Sequence, residues 1–286
     1  MTDWEIAGRT ALITGGNAGI GLATAEALTG RGANVVLGVR NVEKGRAAAA
    51  AIEASTGIHP SVVELDLASL ESVRTAASKV AAEHPNLSIV INNAGVFLGR
   101  RRITVDGFEA TIATNHLGHF LLTCLLEPSL IVNSPSRVIT VSSGAHHQAR
   151  LDVEDLNMKR SYRATRAYAN SKLANIMFTR ELARRLAGSG VSAFSVHPGL
   201  TATRIAQDGD SIFGSVMWKV MRRRLAEAAE GADTVIWLAT EPGLEDSSGA
   251  YFFERRVASP NPSARDDVTC ARLWLVSEDL TGCVLQ

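Results

Sequence analysis

Along most of the chain, short runs of β-branched and aliphatic residues alternate with longer stretches of helical period rich in alanine and leucine. The first run, Thr10 to Thr14 (TALIT), is apolar almost throughout, the pattern of a strand covered on both faces. A helix then extends to about Gly30, and Ala33 to Arg40 (ANVVLGVR) forms the second strand. The alternation continues with a helix from Glu43 to about Ser55, a strand from Ser61 to Leu65, a helix from Ser69 to about Glu83 and a strand from Leu87 to Ile91. A long helix from about Asp106 to Leu126 precedes the fifth strand, Arg137 to Ser142, and a helix carrying Tyr168 precedes the sixth, Val191 to Val196. Glu227 to about Thr240 gives a further helix and Ala250 to Phe253 a seventh strand, and a last helix follows the turn at Pro260-Asn261-Pro262. Such alternation predicts an α/β fold with one doubly wound, mostly parallel, seven-stranded sheet and helices on both faces. No linker or second domain is expected.

Composition narrows the classes. The 286 residues are 46% hydrophobic and 20% charged, which suits a soluble protein with a substantial core. A formal net charge of zero removes the whole-chain field expected of a nucleic-acid binder. Cys124, Cys270 and Cys283 are too few and too scattered for a disulfide framework or a zinc site, so a reducing, cytoplasmic setting is expected. There is no apolar run of about eighteen residues, and Met1 to Gly8 carries Asp3 and Glu5 in place of a basic flank and apolar centre. Neither a signal peptide nor a transmembrane segment is expected.

The candidate chemistry lies where strands end. The first strand runs straight into Gly15-Gly16-Asn17-Ala18-Gly19-Ile20-Gly21. Glycines between a strand and a helix allow a tight turn and close approach of a pyrophosphate, whose charge the helix N-terminus favours. The spacing is G-x-x-x-G-x-G, not G-x-G-x-x-G, and a glycine-rich turn without a ligand is the alternative. At the end of the second strand, where a carboxylate would select NAD, stands Arg40, with Lys44 one helical turn on. A guanidinium matches a phosphate in charge and fork geometry, so NADP(H) is expected over NAD unless Arg40 is an ordinary solvated charge. Asp66, at the end of the third strand, could accept from an adenine amino group or cap the next helix. Asn93, followed by the small Ala94 and Gly95, ends the fourth strand, and the same residues could form a plain turn.

Further on, Asn115 sits inside an apolar helix, where a buried amide must find partners. His116 and His119 are three residues apart, but no further metal ligand is evident and a structural role is the better reading. Ser143 falls at the end of the fifth strand. Tyr168 and Lys172, at i and i+4, share a helix face, so an ammonium can favour the ionised form of a phenol whose usual pKa is about 10. Such a phenol can act as a general acid or base.

Taken together, these residues resemble the short-chain dehydrogenases/reductases. The resemblance rests on Thr14-Gly15-x-x-x-Gly19-Ile20-Gly21, Asn92-Asn93-Ala94-Gly95, Asn115, Ser142-Ser143, Tyr168-x-x-x-Lys172 and Pro198-Gly199, in that order. The wording of 115–122 (NHLGHFLL), 141–147 (VSSGAHH) and 171–175 (SKLAN) is similar to the retinol dehydrogenase branch. The resemblance implies one Rossmann-type domain over 1–286, its cofactor half about 8–135 and its catalytic and substrate half about 136–286. It implies Tyr168 as proton donor in reduction, Lys172 lowering its pKa and holding the nicotinamide ribose, Ser143 on the substrate carbonyl, and Asn115 positioning a water that links Lys172 to solvent. Gly15, Asn17, Gly19, Ile20, Gly21, Arg40, Asp66, Leu67, Asn93, Ala94, Gly95, Pro198, Gly199 and Thr203 would line the cofactor. No metal is implied.

The implied activity is hydride transfer between NADP(H) and an apolar aldehyde, ketone or alcohol. Reduction of an activated C=C or C=N bond on the same platform, or a non-catalytic NADP-binding regulator, are the alternatives. Residues about 202–224, with Ile212, Phe213, Met217 and Trp218, read as a substrate lid, a packed helix or a basic membrane-surface helix. Arg100-Arg101-Arg102 is read either as a solvated loop or as cations near the substrate mouth. The family's habit is a homo-oligomer joined through the helices bearing Asn115 and Tyr168.

Overall fold

The computed structural model describes residues 4–199 and 228–285. The expected lid and Thr203 lie outside the described residues. Strands β1 (Thr10–Thr14), β2 (Asn34–Val39), β3 (Ser61–Glu64), β4 (Leu87–Asn92), β5 (Ser136–Val141), β6 (Val191–His197), β7 (Tyr251–Phe253) and β8 (Arg256–Val257) form one sheet in the order β3-β2-β1-β4-β5-β6-β7-β8. All neighbours pair in parallel except β7 and β8. The order reverses between β1 and β4, which opens a crevice at their carboxyl ends, where ligands of such sheets bind. β1, β4 and β5 are buried along their whole length, which is why aliphatic residues fill most of their centres, with buried polar groups such as Thr14, Asn92 and Arg137 towards their ends.

Helices α1 (Gly19–Thr29), α2 (Val42–Thr56) and α7 (Ala228–Thr240) cover one face, with Leu28, Ile52 and Val235 packed beside Ile13, Phe194 and Phe252. On the other face lie α3 (Leu70–Glu83), α5 (Gly118–Val132) and α6 (Ala164–Arg185), whose Val80, Phe120 and Phe178 meet Leu12, Val90 and Val138. The final helix α8 (Asp267–Thr281) packs on α6. Its Trp274 stands 4.8 Å from the ring of Phe120 and 5.8 Å from that of Phe178, so it takes up contact surface on both helices expected to meet a second copy. No described helix is long and apolar enough to cross a membrane.

Two departures from the sequence reading bear on the site. The expected seven strands gain an eighth: β8 turns back from β7 through Glu254 and Arg255, both left-handed (φ 50° and 58°). A hairpin turn of that kind usually announces itself with Asn or Gly, and neither is present here. Arg255 is held in the turn by an ion pair with Asp233. The long helix expected from about Asp106 starts instead at Ala110, where Glu109 caps it by accepting from the N–H groups of Thr111 (3.0 Å) and Ile112 (2.9 Å). One short turn, α4 (Ala110–Ile112), passes into a π-helical turn at Ala113–Leu117 before α5 begins.

Candidate active site

Helix α6 is fastened to the end of β5 by polar contacts, and these contacts set its catalytic face. Ser142 Oγ donates to the Lys172 carbonyl at 2.7 Å, and the Val141 carbonyl accepts from Lys172 Nζ at 3.1 Å and Asn175 Nδ2 at 3.2 Å. Ser142 is thereby used in the scaffold. Ser143 extends beyond it, its Oγ accepting from the Ala145 N–H at 3.3 Å and near enough to Tyr168 to act on its phenol. Lys172 is only 2% exposed, and its Nζ lies 5.8 Å from the centre of the Tyr168 ring. The four-residue spacing does bring phenol and ammonium to one face. The expected lowering of the phenol by Lys172 is not what the protein alone produces. Burial raises the Tyr168 pKa by desolvating the phenolate, the Ser143 hydrogen bond opposes that shift, and burial pushes Lys172 itself down to about 8.

Asn115 occupies the π-helical turn, a helix irregularity frequent at functional sites. Its amide is fully employed: Oδ1 accepts from the Val96 N–H at 2.7 Å, and Nδ2 donates to the Val96 carbonyl at 3.0 Å and to Ser171 Oγ at 2.9 Å. Ser171 Oγ donates in turn to the Tyr168 carbonyl at 2.8 Å. A side chain at Gly95 would put its first carbon 3.2 Å from Lys172 Nζ and 3.4 Å from Asn115 Oδ1, so glycine lets these groups gather.

A second buried network joins Asn115 to the glycine loop. The N–H groups of Asn93 and Ala94 both donate to Thr14 Oγ1 at 2.9 Å, occupying its lone pairs. The Thr14 hydroxyl hydrogen then faces His119 Nε2, 2.9 Å away, while His119 Nδ1–H donates to the Asn115 carbonyl at 3.0 Å. Burial, with a smaller contribution from the charge of Lys172, pushes His119 down to about 3, so the imidazole is neutral. His116 turns away from it, to Ser277 Oγ at 3.0 Å, and the two histidines form no pair. Among the described residues no group of His, Cys, Asp or Glu is arranged to hold a metal ion. Thr14 and His119 were not singled out as a linked pair. A hydroxyl at the end of a buried strand and an imidazole four residues after Asn115 were the available signals.

The glycine loop has the shape its sequence suggests. Gly15 and Gly19 are left-handed (φ 66° and 54°), and a side chain at Gly21 would come within 2.6 Å of Asn93 Nδ2 and closer still to the Gly15 carbonyl. No side chain caps α1 at Ala18, so the N–H groups of its first turn remain available to an anion. Asn17 is half-buried beside this turn, and Ile20 is in the core. Arg40 is exposed just past β2 and, among the described residues, has no ion-pair partner. Asp66 is not the cap of α3, because Ser69 takes that place at 3.3 Å from the Ser72 N–H. Instead Asp66 Oδ1 accepts from the Ala68 N–H at 2.9 Å at the edge of the crevice, and the buried Leu67 packs against Gly118. Pro198 and Gly199 follow β6, with Gly199 left-handed (φ 81°).

The family model described as short chain dehydrogenase matches residues 9–211. The chain belongs to the short-chain dehydrogenase family. Retinol dehydrogenase 12 of Bos taurus is 43% identical over 282 residues, spanning 98% of this chain and 89% of its own length. Retinol dehydrogenase 11 of Homo sapiens is 44% identical over 279 residues, spanning 97% and 87%. The solved structure of an uncharacterized protein from Mycobacterium paratuberculosis superposes with a TM-score of 0.81 at 38% identity, covering 99% of this chain and 97% of that one. A Pseudomonas aeruginosa RhlG/NADP complex superposes at 0.70 with 26% identity, covering 88% and 97%. As a short-chain dehydrogenase of the retinol dehydrogenase branch, the protein is an oxidoreductase that uses a nicotinamide cofactor. The uncapped first turn of α1, entered through the left-handed Gly15 and Gly19, fits the pyrophosphate of such a dinucleotide.

Proposed function

We propose that this short-chain dehydrogenase is NADP(H)-dependent and interconverts an apolar aldehyde or ketone and its alcohol, with Tyr168 as the general acid and base. The observation that carries the reading is the meeting of Ser143, Tyr168 and Lys172 at the carboxyl end of β5. In reduction, the substrate carbonyl oxygen accepts hydrogen bonds from Ser143 Oγ and the Tyr168 hydroxyl. When bound, the dihydronicotinamide supplies the hydride. As negative charge grows on the oxygen, the two donors stabilise it and Tyr168 transfers its proton. A phenol raised by burial keeps that proton at neutral pH until the oxygen demands it, and the Lys172 ammonium then faces the phenolate. Asn115 acts through position: it ties Val96 to Ser171 and so holds the start of α6 against the loop after β4.

The preference for NADP(H) rests on Arg40, an exposed guanidinium without a partner among the described residues, at the strand end that faces the adenosine ribose in this fold. An apolar substrate is supported by the names of the retinol dehydrogenase relatives and by the apolar residues of 202–224.

The test is oxidation of NADPH and of NADH by the purified protein against retinal, apolar ketones and quinones, with products identified. Alcohol formation with NADPH preferred is the expected result. A saturated C–C product would move the activity to C=C reduction, and a preference for NADH would remove the role given to Arg40.

A further inference from the structure

The chain is neutral overall, yet two segments beside Tyr168 are not. Residues 97–107 and 158–166 together hold Arg100, Arg101, Arg102, Lys159, Arg160, Arg163 and Arg166, with Asp106 as their one acid. All of these cations except the half-buried Arg166 are exposed. Two acids among the described residues lie against these cations. Asp152 pairs with Arg160 at 3.1 Å, and Asp155 accepts from the backbone N–H groups of Lys159 and Arg160. The two segments form one surface: Arg101 Nη2 donates to the Asn157 carbonyl at 3.1 Å, and the Tyr162 hydroxyl donates to the Leu98 carbonyl at 3.2 Å. That surface adjoins the catalytic group, since Phe97 stands edge-on to Tyr168 with ring centres 5.7 Å apart.

The loop carrying the three arginines also exposes aliphatic side chains. Ile103 is 50% and Val105 88% exposed. The loop is built to hold them there. Ile103 bridges to Glu109, the Thr104 N–H donates to the Phe108 carbonyl at 2.8 Å, and the left-handed Gly107 closes the turn. We propose that this rim docks the enzyme on a bilayer surface carrying anionic lipid, with the cations among the headgroups and Ile103 and Val105 at the acyl boundary.

Clustered arginine and lysine are attracted to such a surface, and exposed aliphatic groups gain by leaving water at the same place. Nucleic acid would answer the charge but not the tip. Bases stack on aromatic rings, and among the described residues these two segments expose none: Phe97 packs on Tyr168, and Tyr162 is half-buried and bonded to Leu98. Docked in this way, the site opens towards the phase in which an apolar carbonyl dissolves. That consequence rests on the proposed function, whereas docking does not.

The experiment is flotation of the full chain, without substrate, on vesicles of phosphatidylcholine alone or mixed with phosphatidylglycerol. Binding to the mixed vesicles only, weakening as salt rises, is expected. The Arg100→Glu/Arg163→Glu double variant should weaken it about tenfold or more, and Val105→Asp should weaken it while all the cations are kept. Both variants should keep the wild-type melting temperature and turn over a water-soluble carbonyl at the wild-type rate. Equal binding to neutral vesicles, no binding to either, or binding insensitive to both variants would overturn the proposal. Charge-dependent binding of single-stranded nucleic acid without vesicle binding would also overturn it. Turnover without docking would leave the function standing and remove only this inference.

Discussion

The Nε2 of His119 lies 2.9 Å from the Oγ1 of Thr14, and through that contact the π-helical turn carrying Asn115 is joined to the first strand and to the loop after the fourth. Each member has one role. Thr14 accepts from Asn93 and Ala94, and His119 donates to the Asn115 carbonyl. Replacing His119 by Leu leaves a buried hydroxyl and carbonyl short of a partner, a loss of about 1–3 kcal/mol. Replacing Thr14 by Val strands the Ala94 N–H at similar cost, while the Asn93 N–H keeps the Ile91 carbonyl at 3.0 Å. Because both changes break one network, the double variant should lose less than the sum of the two, as urea unfolding of the four proteins can measure. Strict additivity would mean that the contact couples nothing.

Gly118 tests how closely α5 must approach the end of β3. A methyl group there would lie 2.9 Å from Leu67 Cβ and closer still to the Leu67 carbonyl oxygen. Alanine gains about 1 kcal/mol in a helix over glycine, but overpacking against backbone costs about 1–3 kcal/mol. Gly118→Ala should therefore lower the unfolding free energy despite the better helix former. Unchanged or higher stability in urea would contradict the packing described for this contact.

Stability should fall in acid. His116 and His119 are buried and neutral, held down from 6.5 to about 4 and about 3 by burial. Below pH 6.5 the unfolded chain binds protons that the folded chain refuses, so the stability present above 6.5 is lost as pH falls through these lowered values. At about pH 5 the two account for a slope of roughly 3 kcal/mol per pH unit. His116→Asn should remove about half of that contribution, as denaturant titrations at several pH values would reveal.

Arg40→Ala should raise the KM for NADPH about tenfold or more, the worth of a charge-assisted bond to a phosphate. The KM for NADH should stay as it was. Parallel loss with both cofactors would point to a structural role for Arg40 and away from recognition of the phosphate.

Much of this was legible in the chain. β1, β4 and β5 are buried on both faces and so are mostly aliphatic at their centres, and Gly15 and Gly21 stand where a side chain would strain or collide. Tyr168 and Lys172 announce a shared face by spacing alone. What could not be read depends on partners distant in sequence. The π-helical turn at Asn115 follows from contacts with Val96 and Ser171, and the tautomer of His119 follows from Thr14, 105 positions away. β8 is two residues long, with Glu254 and Arg255 in its turn, and no local pattern marks it. The direction of the Tyr168 shift depends on burial, which spacing does not encode.

The most direct test of the central claim is Tyr168→Phe, assayed for NADPH binding by fluorescence and for carbonyl reduction in the same preparation. The account predicts cofactor affinity within about twofold of wild type and a loss of turnover of at least about a hundredfold, the scale on which general acid catalysis and donor stabilisation act. Turnover surviving in the phenylalanine variant would show that the proton comes from another group and would contradict the mechanism.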